Sequence, residues 1–213
     1  KKICVETPSG KKLNLKLVDQ KIGKNFAECA VIKDAGDDID ITDGAKIYAR
    51  LKFSKTAGII IIGGKGVGMV TKPGLAVSVG EYAINPTPRK MIIKELTPYL
   101  SKDKGIELII SVPKGEELAK HTFNPRLGII GGISIIGTTG IVKPKSMDAY
   151  KSSLSLQLNV LKVAGYKKAI LVLEDGACFT GEPFAVSGET VGQVILHTGV
   201  VGYQEIMTDP TNA

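Results

Sequence analysis

Apolar and polar residues alternate at the start of the chain in "KICVETPSGKKLNLKLVDQKI". A strand at Ile3 to Glu6, a Pro8-Ser9-Gly10 turn and the alternating Leu13, Leu15 and Leu17 form a half-buried hairpin pattern with period two. "FAECAVIKDAGDDIDITDGAKIYARLKF" predicts two more strands, with an acidic loop from Asp34 to Asp43 between them. "AGIIIIGGKGVGMVTKPG" reads as a fully buried strand, Ile59 to Ile62, that breaks into a glycine loop. Helical spacing follows in "TPRKMIIKELTPYL", with Thr87 as cap, Pro88 in the first turn, and Met91, Ile92, Leu96 and Tyr99 on one side. "IELIISVPKGEELAKHTF" predicts a strand into a short helix, and "SMDAYKSSLSLQLNVLKVAGY" the longest helix, capped by Ser146 and stopped at Gly165. Beyond Tyr166 the pattern is all β. "KKAILVLEDGACFTGEPF" reads as two strands about a Glu174-Asp175-Gly176 turn, with further strands around "GQVILHTGVVGY". The mixture lacks strict alternation, so the fold class is α+β with glycine-rich loops, followed by a short, mainly β C-terminal segment.

The run from Leu127 to Val142 has no charge but returns repeatedly to glycine, at Gly128, Gly131, Gly132, Gly137 and Gly140. It is shorter than the roughly 18 to 20 apolar residues of a membrane helix. Each glycine also costs a helix about 1 kcal/mol relative to alanine. Short buried strands joined by glycine turns suit it better. The Gly137-Thr138-Thr139-Gly140 element could contact a polar ligand or cap a turn, and on chemistry alone the turn is favoured.

Composition narrows the class. With 213 residues, 43% of them hydrophobic, the chain can build one large domain or two small ones and a proper core. It reads as a soluble globular protein with no secretory opening, and its start at Lys1 points to a missing natural N-terminus. Cys4, Cys29 and Cys178 form no C-x-x-C pair, which argues against a disulfide framework and a cysteine-rich zinc site and fits a reducing cytoplasm. His121 and His197 have no catalytic motif around them.

Charge is uneven. Residues 1 to 166 hold 26 Lys and Arg against 15 Asp and Glu, whereas residues 167 to 213 hold 2 against 6. A basic surface concentrates anionic partners. There is no tryptophan, and the 5% of aromatic residues do not interleave with cations, so a polyanionic small molecule fits better than nucleic acid.

"IIIIGGKGVGMVTK" fails the P-loop spacing, and Met69 stands where a dinucleotide fingerprint needs its third glycine. What survives is a glycine loop with Lys65 and Lys72, suited to an anion or equally to a tight turn. Asp34, Asp37, Asp38, Asp40 and Asp43 lack calcium-loop order. One of them could act as a general base, and a solvated turn suits them at least as well. Arg89 and Arg126 each follow an Asn-Pro pair, at Asn85 and Asn124, and could pair with carboxylates through their forked guanidinium groups. A surface arginine beside a turn is the simpler reading of the residues alone.

"KDAGDDIDITDG", "GGKGVGMVTKPGLAVSVGEYAINPTPRKMI", "ISVPKGEELAKHTFNPRLGIIGGISIIGTTGIVKPKSMDAY" and "SLSLQLNVLKVAGY" together resemble the cobalt-precorrin-5B C(1)-methyltransferase family, CbiD, of anaerobic cobalamin biosynthesis. The resemblance implies a methyltransferase that moves a methyl group from S-adenosylmethionine to a ring carbon of a cobalt-containing tetrapyrrole, converting cobalt-precorrin-5B to cobalt-precorrin-6A. The cobalt is then carried by the substrate and not bound as a metal site of the protein. On that basis Lys65, Lys72, Asn85, Arg89, Asn124 and Arg126 are assigned to the polyanionic substrate. Asp34 and Asp37 are assigned to proton removal, and Gly131, Gly132, Gly137, Thr138, Thr139 and Gly140 to the donor or the macrocycle. The family's Thr-Thr-Gly-Thr opening and its second domain are missing here. From Lys168 onward, "KAILVLEDGACFTGEPFAVSGETVGQVILHTGVVGYQEIMTDPTNA" resembles the start of the carbamoyl-phosphate synthase small subunit, without its glutaminase half, and Cys178 is not its nucleophile. Two domains are therefore expected, 1–166 and 167–213. The alternative is a noncatalytic fused chain whose tail docks on the carbamoyl-phosphate synthase large subunit. A cytoplasmic location, no membrane or nucleic-acid partner and an open question of homo-oligomerisation complete the expectations.

Overall fold

The computed structural model describes residues 1–38, 40–100, 104–137, 140–141, 147–166, 169–172 and 178–181. The chain divides into two compact units, Lys1–Lys72 with Ala76–Pro144, and Pro73–Leu75 with Lys145–Ala213.

In the first unit, β1 (Lys2–Glu6) and β2 (Lys12–Lys16) pair antiparallel, Lys2 opposite Lys16 and Glu6 opposite Lys12. Thr7 and Gly10, the latter at φ 80°, close the turn that Pro8-Ser9-Gly10 predicts. Leu13 and Leu15 are half-buried, as their alternation requires. Leu17 does not continue that strand. The ladder breaks at Leu17 and a separate β3 (Val18–Ile22) follows, with Asp19, at φ 49°, at an irregularity in its pairing with β4.

β3 edges a five-stranded sheet of order β3–β4–β5–β9–β6, with β4 Phe26–Ile32, β5 Lys46–Ser54, β9 Gly105–Ser111 and β6 Ile59–Gly63. All its pairings are antiparallel except β6 with β9. One face carries Ile47, Ala49, Leu51, Ile61, Ile106, Leu108 and Ile110 into the core, where Val67, Ile84, Val112, Ala119 and Ile133 meet them. The other carries Glu28, Tyr48, Arg50, Lys52, Glu107 and Ser111. Its ion pairs Lys52 with Glu107 at 2.8 Å and Lys46 with Asp19 at 2.8 Å mark it as a solvated surface. β6 is not fully buried, as its isoleucine run suggested. It lies at the sheet edge with Ile60 38% exposed, because only its alternate residues face the core.

The glycine loop after β6 forms two short strands, β7 (Gly66–Val67) and β8 (Met69–Val70). β10 (Ile129–Ile130) pairs antiparallel with β8, and β11 (Gly132–Ile133) parallel with β7. The helix expected from Thr87 starts earlier. α1 is Pro86–Leu96, with Asn85 at its N-cap and Pro86 in the first position, where a missing N–H costs nothing. A 3₁₀ turn, Thr97–Tyr99, follows. α2 (Gly115–Ala119) and α3 (Asn124–Leu127) are short, and Gly128 ends α3 in the left-handed region at φ 74°.

In the second unit, α4 (Met147–Val163) buries Gln157 and Val160. It ends in a Schellman motif: Gly165 N–H donates to Lys162 O at 3.0 Å and Tyr166 N–H to Leu161 O at 3.2 Å, with Gly165 at φ 88°. β12 (Ala169–Val172) and β13 (Cys178–Gly181) pair antiparallel, so Cys178 does lie in a strand. The Ser146 cap, the Glu174-Asp175-Gly176 turn, the strands expected around residues 192–203, and His197 lie outside the described residues.

Candidate functional site

Strand register brings the C-terminal ends of β4, β6 and β9 to one edge of the sheet: Ile32 lies opposite Lys46, Tyr48 opposite Ser111, and Gly63 beside Ile110. Three loops leave from this edge. They carry most of the residues singled out from the sequence.

Two of the loops cross backbone on backbone. A side chain on Gly115 would begin 2.0 Å from the carbonyl oxygen of Gly66, and one on Gly132 2.2 Å from the same oxygen. A side chain on Gly66 would begin 1.9 Å from Val112 O. The glycines of "GGKGVGMV" and "GIIGGI" therefore let two segments approach as no other residue allows. Asn124, 7% exposed, fastens the crossing: its amide donates to Gly132 O at 3.0 Å, and its Oδ1 accepts from Ser134 Oγ at 3.0 Å. Downstream, Asn85 N–H donates to Ile135 O at 2.9 Å, Gly137 lies beside Pro88, and Gly140 beside Thr7 and Pro8. The uncharged run is thus a strand-like thread passing successive partners, and Thr138 and Thr139 of it lie outside the described residues.

The candidate cations divide into two kinds. Arg89 is half-buried, and its Nε donates to Ile84 O at 2.9 Å, which ties α1 to the segment before it. Lys65, Lys72 and Arg126 are exposed, and among the described residues no carboxylate lies within 4.0 Å of them. The Lys72 stem lies against Gly128, whose missing side chain makes the room, and Thr71 Oγ1 donates to Gly128 O at 2.7 Å next to it. Arg126 sits 5.9 Å from the Phe123 ring centroid. The two Asn-Pro pairs occupy different helical positions. Asn85 caps α1 from outside, whereas Asn124 is the first residue of α3.

In the acidic loop Asp34 Oδ1 accepts from Gly36 N–H at 2.9 Å, and Asp43 Oδ1 from Ala35 N–H at 2.8 Å. Asp34 and Asp37 are exposed. Asp40 is the organising carboxylate: Lys33 pairs with it, and Thr42 donates both its N–H, at 2.8 Å, and its hydroxyl, at 2.6 Å. Burial pushes its carboxyl up, but the Lys33 ammonium and the Thr42 donors outweigh that and hold it below the usual aspartate range.

Sequence reasoning missed a cleft of about 360 Å³ on the outer sheet face, lined by Glu28, Tyr48, Arg50, Gly64, Lys65, Ile109, Ser111 and Pro113. The alternation in "KIYARLKF" places Tyr48 and Arg50 on a common face. It does not show that loops from β6 and β9 wall that face. Among the described residues no group of three or more His, Cys, Asp and Glu side chains is arranged to hold a metal ion, and no helix is long and apolar enough to cross a membrane.

The CbiD family matches residues 1–144, and the carbamoyl-phosphate synthase small chain, CPSase domain, matches residues 171–213. A cobalt-precorrin-5B C(1)-methyltransferase of Thermoanaerobacter sp. (strain X514) is 49% identical over 166 residues, covering 78% of this chain and 45% of that protein. One of Clostridium botulinum (strain Eklund 17B / Type B) is 44% identical over 217 residues, covering 94% of this chain and 56% of that protein. A crystal structure of the cobalamin biosynthesis protein cbiD from Archaeoglobus fulgidus matches at 30% identity and TM-score 0.49, over 79% of this chain and 52% of that one. The chain spans about half the length of the curated relatives it matches. The 94% coverage also carries the second alignment into the residues that match the synthase small chain.

Proposed function

Because the chain belongs to the CbiD family over residues 1–144, we propose that it serves S-adenosylmethionine-dependent C-methylation of cobalt-precorrin-5B to cobalt-precorrin-6A and supplies the part that recognises the substrate's carboxylates. The observation that carries this reading is the display of Lys65, Lys72 and Arg126 without acidic partners among the described residues, on segments that flank the glycine crossing. Acetate and propionate arms around a macrocycle form a spread of single negative charges, and fixed cations on a rigid frame suit it. Asn85, Arg89 and Asn124 act from behind by fastening the frame, and Asp34 and Asp37 are the carboxylates assigned to proton removal.

When bound, S-adenosylmethionine supplies an electrophilic methyl group on a sulfonium. The residues assigned to it fit only in part. Gly131, at φ 77°, has nothing among the described residues within 4 Å of where a side chain would project, so a flat ligand can lie against its backbone. Gly132 has no such freedom, since Gly66 and Val67 fill that space. Gly131 and Gly137 therefore remain open for the donor or the macrocycle, Thr7 crowds Gly140, and Thr138 and Thr139 keep the same proposed role on their residue types alone. Completion of that surface is assigned to the half of the relatives that this chain does not span.

Binding and turnover should accordingly separate. A polycarboxylate tetrapyrrole should bind the chain in an absorbance titration, while methyl transfer followed by mass spectrometry should fall far below that of a full-length relative. Positioning can supply roughly 7 to 11 kcal/mol of a barrier, and little of it survives if the donor is not held. Turnover equal to the relative's would overturn this division. Within the binding half, Arg126→Lys should weaken affinity about tenfold to a hundredfold, the range of one charge-assisted hydrogen bond. Unchanged affinity would make Arg126 an ordinary surface arginine.

The match at residues 171–213 favours a second reading, in which residues 167–213 form a separate segment that docks on the carbamoyl-phosphate synthase large subunit. Capture of that subunit by the full chain, and not by a chain ending at Tyr166, would support it. A cytoplasmic location and a division after residue 166 belong to the same proposal.

A further inference from the structure

The outer sheet face offers an anion site that the motifs did not indicate. Its cations are mostly matched: Lys52 has Glu107 at 2.8 Å and Lys46 has Asp19 at 2.8 Å. Arg50 differs. Among the described residues its nearest carboxylate oxygen is on Glu28, 4.0 Å away, and its guanidinium carbon lies 3.9 Å from the Phe26 ring centroid. The stacked ring holds the guanidinium plane without occupying its N–H groups, so the fork stays available to a ligand.

Arg50 lines the cleft of about 360 Å³, with Lys65 from the loop after β6 and Ser111 from the end of β9. Gly64 lets Ser111 Oγ and Ile109 sit against its backbone: a side chain there would begin 2.2 Å from Ser111 Oγ and 2.8 Å from Ile109 Cγ2. The lining therefore combines two cations, two hydroxyl groups from Tyr48 and Ser111, and an apolar floor of Ile109 and Pro113. Tyr48 Oη donates to Asp19 at 2.6 Å, which leaves Ser111 as the hydroxyl without a side-chain partner among the described residues. Arg50 and Lys65 against Glu28 leave a net charge of one positive unit, which matches a carboxylate better than a phosphate carrying about −1.5 to −2.

We infer that this cleft receives one carboxylate arm of the tetrapyrrole, with Arg50 as its principal partner and Lys65 as its second. The inference rests on the substrate reading above and extends it from the glycine loops to the sheet face. The cleft volume is at the small end of ligand pockets, sufficient for an arm and not for the macrocycle.

Uroporphyrin, a tetrapyrrole whose arms are all acetates and propionates, serves as the probe, titrated by absorbance into the full chain. Arg50→Met keeps much of the stem over Phe26 and removes the fork. It should weaken binding about tenfold to a hundredfold. Lys52→Met makes the same charge change on the same face outside the cleft, and it should stay within about threefold, because exposed charges are screened. Equal effects of the two substitutions would overturn the inference while leaving the substrate reading intact. No binding by the unsubstituted chain would overturn the substrate reading itself. Should Arg50→Met lose its circular dichroism signal, Arg50→Lys carries the test, because it keeps the charge on the same strand and removes the fork. It should weaken binding at least fivefold more than Lys52→Met, and a smaller difference counts against the cleft.

Discussion

In the five-stranded sheet, Ile47, Ala49 and Leu51 of β5 and Leu108 and Ile110 of β9 turn every second side chain into the core. Where residues 66–70 cross residues 129–133, the chain is held together at positions that have no side chain at all. The sheet gains from removing apolar area from water, a term proportional to area and tolerant of shape. The crossing depends on carbonyls lying where β-carbons would be, and a single added carbon cannot be absorbed by rotamer change. Both regions meet at the edge that displays Lys65 and Lys72, so the frame behind the proposed substrate cations combines one forgiving and one unforgiving element.

The largest effect should therefore come from one of the smallest substitutions. Gly66→Ala places a carbon 1.9 Å from Val112 O at a residue of φ 75°. The expected loss is on the order of 4 kcal/mol or more, visible in urea denaturation or as failure to recover folded protein. A loss under about 1 kcal/mol would show that the crossing yields and that the contrast drawn here is false.

Leu108→Ala in the sheet removes a whole buried side chain, 7% exposed, and should cost about 2 to 5 kcal/mol by the same measurement. It should leave the m-value unchanged. The comparison is sharpened if this deletion is survived where the single added methyl of Gly66→Ala is not.

Those two regions were unequally legible in the sequence. Period two found the hairpin of β1 and β2, and the apolar runs found β4, β5, β6 and β9, because a strand with a buried face records that face in its own residues. Period two missed β3, since the alternation of Leu13, Leu15 and Leu17 runs on while the ladder breaks after Lys16. The helix at 86–96 was placed two residues too late, as Thr87 and Pro88 offer as plausible a start as Asn85 and Pro86. The crossing left no local record. Glycine at 66, 115 and 132 reports that something comes close, and only the fold shows that each approaches another glycine segment far along the chain. The same reason hid the cleft beside Arg50, whose walls come from β4, β5, β9 and the loops after β6 and β9. Of the candidate site residues, the exposed Lys65, Lys72 and Arg126 stand where a ligand could reach them, whereas Asn124 and Arg89 are committed to backbone carbonyls.

The acidic loop at the same edge is held in a third way, by charge, and pH separates it from the other two. Asp40 joins Lys33 and Thr42, and Lys33 N–H and Gly44 N–H close the loop base through Ala45 O and Lys33 O, each at 2.9 Å. Burial alone would raise the Asp40 carboxyl; Lys33 and Thr42 hold it below its ordinary value of 3.8. A carboxyl depressed in the folded state stabilises fully above its unfolded pKa, and that contribution is lost as pH falls through the folded value. The window thus begins near pH 4 and extends downward. Asp40→Asn should melt below the unsubstituted chain at pH 6, and the gap should narrow between pH 4 and pH 2 as the native carboxyl takes up its proton. Gly66→Ala, or a milder substitution at the crossing such as Gly132→Ala, should show a deficit that does not change over that range, because no charge is involved. An Asp40→Asn deficit equally independent of pH would mean that the loop is held by hydrogen-bond geometry alone, and the third mode of support would merge with the second.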